Sequence, residues 1–127
     1  LGLVPRIENA DVRRGCPPTP ARVDAWVRTG VHVEGRPDWV FVKVHTHGTQ
    51  EYDMDTLLGP ATDAMHDHLE GSYNDGKQYV LHYVTSREVY NIIKAAEAGH
   101  DGDPNQYRDF ILPPPKSSWA GSRAGVE

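Results

Sequence analysis

The segment from Trp39 to Gly48 constrains the possible fold more than any other part of the sequence. Side chains of a β-strand alternate between its two faces. As a strand, this segment would carry on one face Trp39, Phe41, Lys43, His45 and His47, and on the other Val40, Val42, Val44 and Thr46. The valine face suits packing beneath helices. Because α/β proteins place their chemistry at the carboxyl ends of strands, the pattern predicts a site at the two histidines.

A second strand and two helices follow in the predicted core. The alternation in Tyr79–Val84 predicts the second strand. Before it, apolar residues recur every four positions and predict a helix from about Pro60 to Gly71, after a short first turn near Asp53 or Asp55. After it, the pair Thr85 and Glu88 has the spacing of a capping box that starts a second helix.

The order strand, helix, strand, helix predicts an α/β fold with a small, mainly parallel sheet and flanking helices. Residues 1–30 form a proline-rich segment in which we expect no long regular element, apart from a helical turn around Trp26. The α/β core is predicted over 31–112, and the stretch 113–127 is predicted to be a flexible tail. A sheet this small leaves its edges exposed, so we expect a homo-oligomer.

Charge and composition narrow the classes of partner and compartment. The net charge of −5 argues against nucleic acid and against anionic membrane surfaces. No apolar run approaches the ~20 residues that span a bilayer. The single cysteine, Cys16, excludes an intrachain disulfide and favours a reducing, cytoplasmic location. The chain begins at Leu1 and has no signal-peptide pattern, so we expect a processed, trimmed or truncated chain.

His45 and His47 are the candidate catalytic residues, because rings two apart on a strand project to one side and suit proton transfer or a shared metal. The alternative is a pair of hydrogen-bonded structural histidines. A catalytic zinc ion needs a third protein ligand, and spacing fixes none of the candidates, so no metal site is predicted. Those candidates are Glu51, Asp53, Asp55 and His82.

Lys43 and Trp39 share the predicted polar face and are the candidate substrate-binding residues. Lys43 would act electrostatically near His45, and Trp39 would stack on a sugar ring. The alternatives are a lysine that extends to solvent at the sheet edge and a tryptophan that belongs to the core. His66 and His68 point to different sides of a helix, so they are interpreted as surface residues.

Three pieces of the sequence together carry a family resemblance. Val40–Gly48, Tyr79–Val84 and the following Thr85–Tyr90 resemble the closing part of the polysaccharide deacetylase superfamily, in its uncharacterised bacterial branch. The resemblance implies a distorted α/β barrel, a divalent metal such as zinc, and a role in carbohydrate metabolism. It implies that His45 is the general acid for the leaving amine, with His47 as the alternative register. The family commonly has Asp where this chain has Thr46.

The metal-binding motifs of that family have no counterpart in residues 1–30. The expectation is therefore a carboxyl-terminal piece of a deacetylase-like protein that is inactive alone. The alternative is a stand-alone, non-catalytic α/β module that binds a saccharide or a protein, or self-associates. A third hypothesis is a metal-binding module built on His45 and His47.

Overall fold

The computed structural model describes residues 7–116 and shows a mainly helical chain. The helices are α1 (Pro20–Thr29), α2 (Glu51–Leu57), α3 (Pro60–Ser72) and α4 (Ser86–Glu97), followed by a 3-10 helix at Pro104–Tyr107. Internal contacts divide the chain into two compact units, Leu1–Tyr83 and Val84–Glu127. From residue 117 onward, the predicted tail lies outside the described residues. None of the helices described has the length and apolar character needed to cross a bilayer.

The predicted parallel sheet is wrong. Over residues 7–116 there is no strand, and β-pairing is limited to three isolated bridges. The segment after Trp39 meets other backbone at two separate points, where Phe41 N donates to Val31 O at 2.7 Å and where His45 pairs with Asp11. Two contacts do not make a ladder. The predicted buried face is also exposed, at 41%, 41% and 37% for Val40, Val42 and Val44.

Side chains of two turn residues, Asn74 and Asp75, accept hydrogen bonds from backbone amides in and just before the second predicted strand. Asp75 Oδ1 accepts from the amides of three residues, Lys77, Gln78 and Tyr79, each at 2.9 Å. Asn74 Oδ1 accepts from Leu81 N at 3.1 Å. Such side-chain acceptors compete with a neighbouring strand for the same donors. The alternation in Tyr79–Val84 therefore does not lead to a strand.

Helix α1 is longer than the single turn predicted around Trp26. Pro20 occupies its first turn, where a missing N–H costs nothing, so the prolines of this region start the helix instead of preventing it. Gly30 ends it in the left-handed conformation at φ 63°. The buried residues of α1, Val23 and Trp26, join Val12 and Met65 in the core cluster of the first unit.

The break between α2 and α3 agrees with the predicted short turn followed by a helix from Pro60. Gly59 permits the break, because a Cβ there would lie 2.4 Å from Asp55 O. Thr62 Oγ1 donates to Thr56 O at 2.7 Å and ties the two helices together. This geometry places α3 where Met65 reaches the core.

In the second unit, α4 begins with the predicted capping box. The Thr85 side chain accepts from Glu88 N, and the Glu88 carboxylate accepts from Thr85 N at 2.7 Å. The buried face of α4 includes Asn91, which binds the backbone of residues 108–112.

Candidate metal centre at Asp11, His45 and His47

The two predicted catalytic histidines lie together with a residue that sequence reasoning missed. One ligand atom each from Asp11, His45 and His47 can be chosen so that all three lie within 4.8 Å of one another. The imidazole rings meet edge to face, with centroids 5.8 Å apart. Asp11 is not among the third ligands considered from the sequence. Together, Asp11, His45 and His47 form the triad.

Backbone pairing places Asp11 against His45. Val12 N donates to His45 O at 2.8 Å, and His45 N donates to Ala10 O at 3.1 Å. Ala10 precedes the aspartate with φ 59°, a conformation uncommon for residues other than glycine. The turn at Ala10 and these two hydrogen bonds fix the position of the Asp11 backbone, from which its side chain extends.

Helix α1 anchors the segment that contains Asp11. Arg22 donates to the carbonyl oxygens of Asp11 at 2.8 Å and of Cys16 at 2.6 Å. The same guanidinium donates to Glu8 Oε1 at 2.7 Å and Oε2 at 2.8 Å. The hydrogen bond from Arg22, with help from Trp26, lowers the pKa of Glu8 to about 2. The segment is therefore held by protein contacts alone.

The Asp11 carboxylate has one engaged oxygen and one open oxygen. Its Oδ2 forms an ion pair with Arg13 Nε at 2.9 Å. Its Oδ1 is buried, and no donor among the residues described reaches it. The residue as a whole is 5% exposed. A buried carboxylate oxygen without a partner costs free energy, and a bound cation would remove that cost.

The donor set suits a divalent transition metal. Zinc and similar ions bind combinations of imidazole nitrogen and carboxylate oxygen, and three protein ligands are typical of centres that keep a coordination position open. Exposure increases through the triad, from buried Asp11 through half-buried His45 to exposed His47. An ion held here would be anchored on the Asp11 side and open to solvent on the His47 side.

A cavity that opens to solvent shares His45 with the triad. Its volume is about 220 Å³, and its lining residues are Val12, Val44, His45, Thr46, Leu57, Thr62 and Met65. The Thr62 hydroxyl is engaged with Thr56 O, so that residue presents mainly its methyl group. An ion at the triad would therefore sit beside a mostly apolar cavity.

The other predicted site residues lie outside both the triad and this cavity. Trp39 is buried, with the Arg36 guanidinium 5.4 Å from its ring centroid, so the core interpretation describes it better than sugar stacking. Lys43 is exposed. Asp53, one of the proposed third ligands, instead accepts from Arg14 N at 2.8 Å.

A serine, a histidine and an aspartate also align between α1 and α3. His68 Nε2 lies 2.7 Å from Asp24 Oδ1, and Ser72 Oγ lies 3.4 Å from His68 Nδ1. The hydrogen bond from His68, and then one from Tyr73, lowers the pKa of Asp24. Ser72 is the last residue of α3, where a helix offers carbonyl oxygens and not the N–H donors that an oxyanion needs. This group therefore links two helices.

No protein-family model matches the chain, and neither a curated protein nor a solved structure matches it significantly.

Proposed function

We propose that this protein binds a divalent transition-metal ion, zinc foremost, through Asp11 Oδ1 and the imidazoles of His45 and His47. The observation that carries the proposal is the buried Asp11 Oδ1, which has no donor among the described residues and belongs to a triad with ligand atoms within 4.8 Å. An acceptor of this kind is stabilised by a hydrogen-bond donor or by a cation, and the two imidazoles supply further ligands for a metal ion.

The chemistry that such a centre supports is hydrolysis. Three protein ligands leave a position for water, and a zinc ion lowers the pKa of bound water to ≈ 7, which makes a nucleophile at neutral pH. His45 and His47 would then act as ligands, and the general-acid role implied for His45 would pass to another group. Hydrolysis of an amide or ester agrees with the deacetylase resemblance, which stays a prediction, as does a carbohydrate substrate.

Self-association is the second candidate. It is supported by the number of large apolar side chains that the first unit leaves exposed, among them Val31, Leu58 and Val80 at 57%, 71% and 61%. Exposed apolar side chains of this size can be covered by a second copy of the chain. Light scattering on the purified chain decides this, because a stable monomer across a concentration series would contradict it.

Titration calorimetry with Zn²⁺ at neutral pH tests the metal site. We expect one ion per chain, and at least tenfold weaker binding in Asp11→Asn, His45→Ala and His47→Ala, since each removes a ligand. His66→Ala and His100→Ala are matched controls, because both remove a histidine outside the triad. Circular dichroism confirms that each variant keeps its helices.

Two results would contradict the proposal. The first is the absence of zinc binding in a folded wild-type chain. The second is binding that Asp11→Asn leaves unchanged, because surface histidines alone would then explain it.

A further inference from the structure

We infer that the metal centre takes the carboxylate of a short aliphatic acid, with the chain of that acid in the cavity beside His45. The inference rests on the proposed metal site and adds the class of ligand. It depends on the position of the cavity, on its lining and on the charge of the loaded triad.

The cavity has the size and lining for a short hydrocarbon chain. Its volume of about 220 Å³ equals roughly seven water-sized volumes at ≈ 30 Å³ each, and it opens to solvent, so it suits a chain of a few carbon atoms and not a long acyl chain. Four of its lining residues, Val12, Val44, Leu57 and Met65, are purely apolar in their side chains. With the Thr62 hydroxyl engaged, Thr46 and His45 are the remaining polar residues of the lining, which are few for a polar chain such as a sugar.

The loaded triad carries a positive charge. A divalent cation with one carboxylate and two neutral imidazoles has a net charge of about +1. Arg13 adds a further cation, 2.9 Å from Asp11 Oδ2. An anionic oxygen ligand is therefore favoured at the open position, and carboxylate oxygens are ordinary ligands of zinc.

His45 connects the metal centre to the cavity. Because the same residue belongs to the triad and lines the cavity, the head group and the chain of one small ligand can occupy the two neighbouring places. Hexanoate fits this description, whereas acetate has the head group without the chain.

The test compares hexanoate, acetate and hexan-1-ol by calorimetry on the zinc-loaded full chain. We expect hexanoate to bind about tenfold or more tightly than acetate, because each buried methylene contributes. Hexan-1-ol, which lacks the carboxylate, should bind the zinc-loaded protein far more weakly. Hexanoate should also bind far more weakly to the zinc-free protein, which lacks the metal ion.

Two valine variants locate the chain. Val44→Trp should abolish the preference for hexanoate, because Val44 lines the cavity. Val42→Trp is the matched control, an equally large change at a similarly exposed position outside the cavity lining, and it should keep the preference.

Each result decides something. Equal affinity for hexanoate and acetate on zinc-loaded protein overturns this inference and leaves the metal site standing. Absence of zinc binding overturns both. A preference that survives Val44→Trp overturns the placement of the chain, and if that variant fails to fold, the wild-type comparison still decides the ligand class.

Discussion

Glu8 and Arg22 form a two-point ion pair that joins the segment containing Asp11 to helix α1. Both carboxylate oxygens of Glu8 accept from the guanidinium, at 2.7 and 2.8 Å, and Trp26 Nε1 donates to one of them at 3.0 Å. Arg22 also holds the Asp11 carbonyl. A single arginine thus connects the first described residues, the start of α1 and the triad.

Acid should weaken this connection. The pKa of Glu8 is about 2 in the folded protein against an ordinary value of 4.5, so folding favours the ionised form of its carboxyl group. Its contribution is fully present above pH 4.5 and is lost as the pH falls toward 2. We expect Glu8→Gln to reduce the free energy of unfolding at pH 7 by only about 0.5–1.5 kcal/mol, because solvent screens this partly exposed pair, and to flatten its decline between pH 5 and pH 2.

Urea unfolding followed by circular dichroism at several pH values measures this effect. Asp67→Asn is the control, because Asp67 is an exposed carboxylate on α3, and its loss should change stability by less than about 0.5 kcal/mol. An acid limb of the same steepness in wild type and Glu8→Gln would contradict the assignment.

The left-handed conformation of Ala10 gives a second prediction. Glycine adopts φ 59° without strain, whereas a β-branched residue is strongly disfavoured there. Ala10→Gly should keep near wild-type stability and zinc affinity. Ala10→Val should lose roughly 1–3 kcal/mol of stability and bind zinc more weakly, because the turn before Asp11 is disturbed. Comparable behaviour of the two variants in melting and in zinc titration would show that this turn does not position the aspartate.

Zinc should raise the thermal stability of the first unit. A ligand that binds only the folded state stabilises it by about 2.7 kcal/mol at one hundred times its dissociation constant. Thermal melts at increasing zinc concentration should therefore shift upward in wild type and shift much less in Asp11→Asn. Calcium serves as the control ion, because it prefers sets of oxygen ligands and should cause little shift.

Asn91 should be the most sensitive polar position of the second unit. It is fully buried, donates to the carbonyls of Arg108 and Leu112 at 2.6 and 2.8 Å, and accepts from the amides of Ile111 and Leu112 at 3.1 and 2.8 Å. Asn91→Ala leaves these backbone groups without that side chain and should cost about 2–4 kcal/mol.

Hydrogen exchange gives the readout for Asn91, because the amides of Ile111 and Leu112 should lose protection in Asn91→Ala. Gln106→Ala, at an exposed position of the 3-10 helix, is the control and should leave both amides protected. A loss below about 1 kcal/mol in Asn91→Ala would mean that the surrounding chain adjusts to replace the lost partners.

Helices α3 and α4 were the predictable part of this fold, whereas α1 was expected only as a single turn. The apolar spacing before Gly71 and the capping hydroxyl of Thr85 each depend only on residues a few positions away in the sequence. These helices can therefore be predicted without knowing how the rest of the chain folds. The strands were not predictable in the same way, because a strand forms only where another segment offers its backbone. The alternation at Val40, Val42 and Val44 was real, yet no segment among the described residues forms a ladder with it.

The candidate site was half predictable for the same reason. The spacing of His45 and His47 marks them as candidate site residues from the sequence. Asp11 is a single acidic residue in a proline-rich stretch and meets His45 only through the fold. No period, motif or composition marks such a residue. The nearest cue in the sequence was that this aspartate directly precedes Val12, a residue that lies in the core.

The division at Tyr83 affects how unfolding experiments on this chain should be interpreted. Each unit has its own helices and its own network of side-chain hydrogen bonds, so each can melt with its own midpoint. A single sigmoid fitted to the ellipticity would then average two transitions and understate the steepness of both. Probes confined to one unit, such as the amides of Val12 and of Leu112, would report the two cooperative steps separately.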